Sequence, residues 1–272
     1  MTATTNGIPA LGFGTFDRTG TAGIATLLFA LETGYRHLDT AQSYGTEREC
    51  GEALRRSSLK RDEVFLTTKI TSENCHGGDL IDSLKRSNET IGVDAVDLTL
   101  IHWPVSPDGN LPMHRYLAEL AQAQASGLTR LIGVSNFTIA DLVEAEGFLG
   151  PNRLATNQFE RHPLLRNQKL VDFCASKNIA VTCYLPLARG ACAGIPAIEA
   201  IARAHGATPH QIALAMSLAE GHVVIPTSGK DARIAENWAA RDVELSSAEL
   251  ATLRGVDRNE RQIDPVWSPK WD

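Results

Sequence analysis

Short apolar runs and amphipathic helical stretches alternate along the whole chain, and a polar loop follows each run. Eight such units can be counted, with apolar runs at 10–14, 36–39, 64–68, 96–101, 131–134, 154–157, 180–183 and 223–225. The runs are short and bounded by polar loops, which predicts strands buried on both faces. Between them lie helical patterns. In 21–33, Ile24, Leu27, Leu28 and Leu31 recur at helical spacing, and a later helix carries Met113, Tyr116, Leu117 and Leu120 on one face. Further helices are expected at 46–56, 79–91, 139–146, 167–176, 197–205, 209–219 and 232–240.

Helix starts are written into the sequence. Thr46-Glu47-Arg48-Glu49 and Ser246-Ser247-Ala248-Glu249 both read as capping boxes, in which the first hydroxyl and the fourth carboxylate satisfy each other's free backbone N–H groups. Thr208-Pro209-His210-Gln211 adds a proline at the first helical position. Leu245 and Leu250 flank the Ser246 box as a hydrophobic staple. The tail, 257–272, holds Pro265, Trp267, Pro269 and Trp271 without periodicity and is expected to be ordered but irregular.

Strand alternating with helix implies a parallel sheet. Eight units close into a (β/α)8 TIM barrel, and no linker or charge run divides the chain. The expected architecture is α/β, one domain over 1–272, with an extra C-terminal helix and a short irregular tail. An open doubly wound sheet loses weight because Gly12-Phe13-Gly14 lacks the third glycine of a dinucleotide fingerprint. Gly229-Lys230 has no upstream glycine to make a phosphate loop, and Gly133-Val134-Ser135-Asn136-Phe137 misses the nucleophile elbow at its last residue.

Composition narrows the function. The 272 residues are 43% hydrophobic and carry 32 acids against 26 bases, a formal charge of −6. That balance offers no attraction to nucleic acid or an anionic membrane. No apolar run approaches the length of a membrane span, and residues 1–9 are small and polar rather than a targeting segment. Cys50, Cys75, Cys174, Cys183 and Cys192 are scattered, with no C-x-x-C, so reduced thiols in a cytoplasmic protein are expected and no metal site is suggested.

In such a barrel, polar residues at the C-terminal ends of the strands converge on one mouth. Here they are Asp39 with Tyr44 close behind, Lys69, His102, Ser135-Asn136, Gln158, Tyr184 and Pro226-Thr227-Ser228. Any one alone could be a loop cap or a solvated end; together they make a site. A lysine beside a tyrosine favours the phenolate, and Asp39 can hold Lys69 charged. His102 can hydrogen-bond a carbonyl oxygen. A proton donor aimed at a carbonyl is half of a reduction, and the missing hydride calls for a nicotinamide or flavin. Ser135, Asn136 and Gln158 offer partners for a carboxamide, and Tyr184 offers a ring to stack on a flat heterocycle. Lys230 and Arg233 open the last barrel helix, where an anion is favoured.

At this point the chain resembles the aldo-keto reductase superfamily over nearly its whole length. The motifs are Gly34-Tyr35-Arg36-His37-Leu38-Asp39-Thr40-Ala41 with Tyr44-Gly45, Thr67-Thr68-Lys69, Asp97 through Pro104, Ile132 through Phe137, Asn157-Gln158, and Ile225-Pro226-Thr227-Ser228 through Asn237. Within the family, the short N-terminus and the ending Pro269-Lys270-Trp271-Asp272 are most similar to bacterial 2,5-diketo-D-gluconate reductases, the B type in particular, which also reduce small aldehydes such as methylglyoxal. The resemblance implies a catalytic tetrad of Asp39, Tyr44, Lys69 and His102, and NADP(H) lying extended across the mouth. Its implied contacts are Gly14, Thr15, Phe16, Asp39, Ser135, Asn136, Gln158, Tyr184, Leu185, Leu187, Arg189, Ile225, Thr227, Ser228, Lys230, Arg233, Glu236 and Asn237, with Arg189 open between the cofactor pyrophosphate and a substrate carboxylate. The implied substrate pocket is Phe16, Thr71, His102, Trp103 and Trp267, open to a small carbonyl substrate, and the family favours a monomer.

Two departures bear on these expectations. Many relatives have lysine at Thr227 to grip a 2′-phosphate, so NAD(H) use is open even though Lys230 and Arg233 can compensate. Many have a pocket tryptophan at Thr71, so this pocket is wider or more polar. Two other function classes fit the same residues less well: a lyase or aldolase with a Schiff base on Lys69, and a cofactor-sensing module without turnover.

Overall fold

The computed structural model describes residues 7–76 and 78–272. Among them ten strands occur in chain order: β1 (Phe13–Gly14), β2 (His37–Asp39), β3 (Phe65–Ile70), β4 (Val96–Ile101), β5 (Val105–Ser106), β6 (Gly109–Asn110), β7 (Thr129–Ser135), β8 (Thr156–Glu160), β9 (Ala180–Tyr184) and β10 (Val223–Val224). All but β5 and β6 form one parallel sheet in sequence order. A parallel bridge between Leu11 and Val224, with the Gly12 N–H donating to the Val224 carbonyl at 2.9 Å, joins first strand to last and closes the barrel. The antiparallel β5–β6 hairpin, which the hydrophobic pattern did not foretell, stands at the mouth after β4.

Ten α-helices among the described residues accompany the strands: α1 (Gly20–Thr33), α2 (Glu47–Arg56), α3 (Leu80–Ile91), α4 (Met113–Ala125), α5 (Ile139–Leu149), α6 (Gln168–Ser176), α7 (Pro196–His205), α8 (Pro209–Ala219), α9 (Asp231–Ala239) and α10 (Ser247–Arg254). They match the expected positions to within a few residues. Close packing of the ring needs small residues. A Cβ on Gly51 of α2 would collide with the Ile91 carbonyl at the end of α3, so only glycine fits that contact.

The two-residue period of a strand decides what fills the barrel. In β3, Leu66 and Ile70 face outward into the core shared with the helices, and Thr68 donates to Glu47 of α2. Phe65, Thr67 and Lys69 face inward. Phe65 belongs to an apolar interior cluster with Leu98, Leu100, Val223 and Ile225, Thr67 meets His37 at 2.9 Å further along the strand, and Lys69 stands nearest the mouth. The interior therefore runs from apolar base to charged mouth.

Some local expectations are corrected. β3 runs to Ile70 and β8 to Glu160, so Lys69 and Gln158 lie within strands and not beyond them. Their polar side chains read as loop, yet they point into the barrel. Thr46 does not close a capping box. Its buried hydroxyl instead meets Thr15 at 2.8 Å and Thr40 at 2.9 Å, and Glu49 accepts from the Gly20 N–H. The boxes at Thr208–Gln211 and Ser246–Glu249 form as expected.

The tail is ordered and irregular. Glu160 accepts from the Gln262 and Ile263 N–H groups at 2.8 and 2.7 Å, and Asp272 accepts from the Ile139 N–H at the start of α5. All five cysteines are free and buried. Among the described residues no helix is long and apolar enough to cross a membrane. The expectation for residues 1–9 falls largely on 1–6, outside the described residues.

Candidate active site

β2, β3, β4 and the turn after β2 bring Asp39, Tyr44, Lys69 and His102 together. The Lys69 ammonium is fully buried and donates to the Asp39 carboxylate, to the Thr40 carbonyl at 3.0 Å and to the Tyr44 hydroxyl at 3.3 Å. Those three acceptors match its three N–H donors. The other Asp39 oxygen accepts from the Gln158 amide at 2.8 Å, so β8 supports the pair from across the barrel. Gly45, in the left-handed conformation at φ 65°, ends the short 3-10 turn 42–44 that presents Tyr44. The Tyr44 ring lies between Phe16 and His102, edge-on to both, with centroids 5.2 and 5.6 Å away.

Electrostatics assigns protonation states. Burial favours a neutral Lys69 amine, but Asp39 and Tyr44 outweigh it and raise its pKa, so it stays an ammonium. Burial raises the Tyr44 phenol, while Lys69 pulls it down; the net direction is up. The nearness of the lysine alone had predicted the opposite direction, because enclosure cannot be read from spacing. In this state Tyr44 holds its proton. Burial, with Lys69 adding to it, lowers His102 to about 3, so its imidazole is neutral. Ser43 reaches His102 Nδ1 at 3.3 Å, and Asn136 donates to the His102 carbonyl at 3.0 Å.

A groove of about 670 Å³ runs from the loop after β9 to α9. Leu185, Leu187, Arg189, Ile225, Thr227, Ser228, Lys230, Arg233, Glu236 and Asn237 all line it. It adjoins the mouth through β1: Gly14 pairs with Asp39 in register, and its N–H donates to the Pro226 carbonyl at 3.0 Å. A Cβ on Gly14 would lie 2.9 Å from the Ile225 carbonyl, so glycine keeps the two loops in contact. Thr15 is buried beside Thr46, and Phe16 is 62% exposed at the rim. On the opposite side, Tyr184 donates to Asn136 Oδ1 at 2.8 Å and Ser135 donates to the Gln158 carbonyl at 2.8 Å.

Residues 10–258 match the Aldo/keto reductase family. The chain belongs to that family. Among its relatives is the methylglyoxal reductase DkgB of Yersinia pestis, 44% identical over 97% of this chain and 99% of that one. A D/L-glyceraldehyde reductase from Hypocrea jecorina is 34% identical over 97% of this chain and 90% of that one. The aldose reductase of Schistosoma japonicum superposes with a TM-score of 0.89 at 31% identity, covering 96% of this chain and 93% of its own. An aldo-keto reductase from a Medee basin deep-sea metagenome superposes at 0.91 with 30% identity, covering 97% of each chain. The chain is thus an aldo-keto reductase of (β/α)8 fold.

Within this reductase several details were not anticipated. Pro186, Gly190, Ala193, His210 and Gly229 also line the groove. His210 sits just inside the Thr208 box, and its place in α8 gave no sign of a groove role. Glu236 accepts from the Thr208 hydroxyl at 2.7 Å and lies 3.7 Å from His210 Nδ1. Trp103 packs edge-on against Trp267 at 5.0 Å and tilts against Trp271 at 6.1 Å, so the tail contributes two tryptophans to this wall where one was foreseen. Thr71 donates to Glu73, a neighbour that sequence reasoning passed over.

Proposed function

We propose that this aldo-keto reductase reduces small aldehydes and ketones to alcohols with NADPH, with Tyr44 as proton donor. The observation that carries the reading is the Lys69 ammonium, which touches both the Asp39 carboxylate and the Tyr44 hydroxyl in one buried cluster. The groove suits an extended dinucleotide: it holds about 670 Å³, adjoins the mouth, and offers Arg189, Lys230 and Arg233 to phosphates. Ser135, Asn136, Gln158 and Tyr184 would hold the nicotinamide end. When bound, the reduced cofactor supplies hydride to the carbonyl carbon.

The chain's own residues do the rest. Neutral His102 donates a hydrogen bond to the substrate oxygen and orients it. Tyr44 passes its proton to that oxygen as negative charge builds there. Lys69, 4.7 Å from the centre of the Tyr44 ring, stabilises the phenolate left behind. Asp39 and Gln158 keep Lys69 charged and in place. A Schiff base on Lys69 would need the neutral amine, which the Asp39 pair opposes.

Turnover with NADPH and NADH over aldehydes, α-dicarbonyls and keto acids tests the reading. NADPH-dependent reduction with the higher kcat/KM for NADPH is expected. Equal or better use of NADH overturns the cofactor preference, and no oxidation of either cofactor across the panel overturns the reaction.

A further inference from the structure

The turn after β3 carries an exposed carboxylate, Glu73, tied to Thr71 beside the mouth. Thr71 lies two residues after Lys69 on extended backbone, so its side chain turns to the same side as the lysine, toward the mouth. The Thr71 hydroxyl donates to the Glu73 carboxylate, which places that carboxylate beside whatever Thr71 faces. The same hydrogen bond holds the Glu73 carboxyl below the usual range, so it is ionised at neutral pH.

The turn that carries Glu73 is fastened on both sides. Gln42 Oε1 accepts from the Thr71 N–H at 3.0 Å and from the Asn74 amide at 2.9 Å, and its own amide donates to Ser83 and Ser87 of α3, each at 3.1 Å. Every hydrogen-bonding valence of Gln42 is used. Gln42 also belongs to the 3-10 turn that presents Tyr44. The turn that carries Glu73 is therefore tied to the one that presents Tyr44.

Lys69 is paired with Asp39. Arg261 stacks on Trp271 at 3.8 Å, donates to Asn167, and has Glu160, Asp264 and Asp272 around it. His102 is neutral. His76 neighbours Glu73 itself, at the end of the same turn.

We infer that Glu73 is a specificity-determining residue that disfavours carboxylate-bearing substrates, so that the site takes neutral small carbonyls in preference to keto acids. This rests on the reductase reading above and deepens it. Phe16, Trp103 and Trp267 are aromatic and offer a carboxylate no counter-charge, and Arg261, behind Trp103, is stacked on Trp271. A like charge across a mouth of intermediate dielectric changes binding by about 3- to 10-fold.

The test compares 4-nitrobenzaldehyde with 4-carboxybenzaldehyde, two rings of similar size that differ in charge, for wild type and E73Q at saturating NADPH. The ratio of kcat/KM for the neutral over the anionic aldehyde should fall about 3- to 10-fold in E73Q. An unchanged ratio overturns the inference, whatever happens to the individual rates. Wild type alone supplies a second measure that does not depend on how the variant folds. Raising ionic strength from about 0.01 M to about 1 M shortens the screening length from about 30 Å to about 3 Å, and the same ratio should shrink. A ratio that stays constant with salt contradicts the repulsion. Loss of turnover on both aldehydes in wild type would strike the reductase reading instead, so the two failures are distinguishable.

Discussion

Gln158 Nε2 lies 2.8 Å from Asp39 Oδ2, linking β8 to β2 across the barrel beneath the mouth. The bond joins a residue expected to hold a carboxamide to one expected to hold a lysine. Gln158→Leu removes a donor from a buried carboxylate and should lower unfolding free energy by about 1.5–3 kcal/mol, measured by urea melts. Gln158→Glu puts a second carboxylate beside Asp39, so stability should fall further as pH rises through the carboxylate range. A change under about 0.5 kcal/mol in both variants would show that the bond contributes nothing.

Stability should decline on mild acidification. Burial lowers His37 to about 4 and His222 to about 3, and both are buried in the fold. An unfolded histidine titrates near 6.5, so below that value the unfolded chain binds more protons than the native one. The contribution is complete above about pH 6.5 and is lost as pH falls toward the folded pKa values. Together the two should cost about 2–4 kcal/mol between pH 7 and pH 5, because a tenfold difference in proton affinity between native and unfolded chains is worth about 1.4 kcal/mol. His37→Gln should flatten the slope. A flat unfolding free energy over that range would contradict the assignment of neutral buried histidines.

Cofactor preference should respond to Thr227, which is exposed and lines the groove beside Ser228 and Lys230. Thr227→Lys adds a cation where the 2′-phosphate is expected. The kcat/KM ratio of NADPH over NADH should rise about tenfold, equivalent to about 1.4 kcal/mol. An unchanged ratio would place the phosphate elsewhere along the groove.

Much of this site was legible because barrel chemistry gathers at strand ends. Asp39, Lys69 and His102 could be read as convergent once eight units were counted, as could Tyr184 and Thr227-Ser228, whereas Leu185, Leu187, Arg189, Glu236 and Asn237 were implied by the family resemblance alone. What escaped were contacts that depend on closure in three dimensions. Gln42 is one polar residue in a loop by sequence, yet it fastens two loops and a helix. Glu160, two residues after Gln158 on β8, read as a loop residue beyond a shorter strand, whereas its carboxylate anchors the tail. The Thr46 box had the right sequence but the wrong surroundings, because burial offered its hydroxyl better partners in Thr15 and Thr40. The rise in the Tyr44 pKa depends on a balance between enclosure and Lys69 that spacing along a chain cannot weigh.

The most direct test of the account is Tyr44→Phe, which removes the donated proton and leaves the ring between Phe16 and His102. Reduction should fall by about 10²–10⁴-fold in kcat, the usual contribution of a positioned general acid. NADPH affinity, measured by quenching of protein fluorescence, should stay within about threefold, a change of under about 1 kcal/mol. Turnover close to wild type in this variant, with NADPH binding intact, would contradict the central claim that Tyr44 donates the proton.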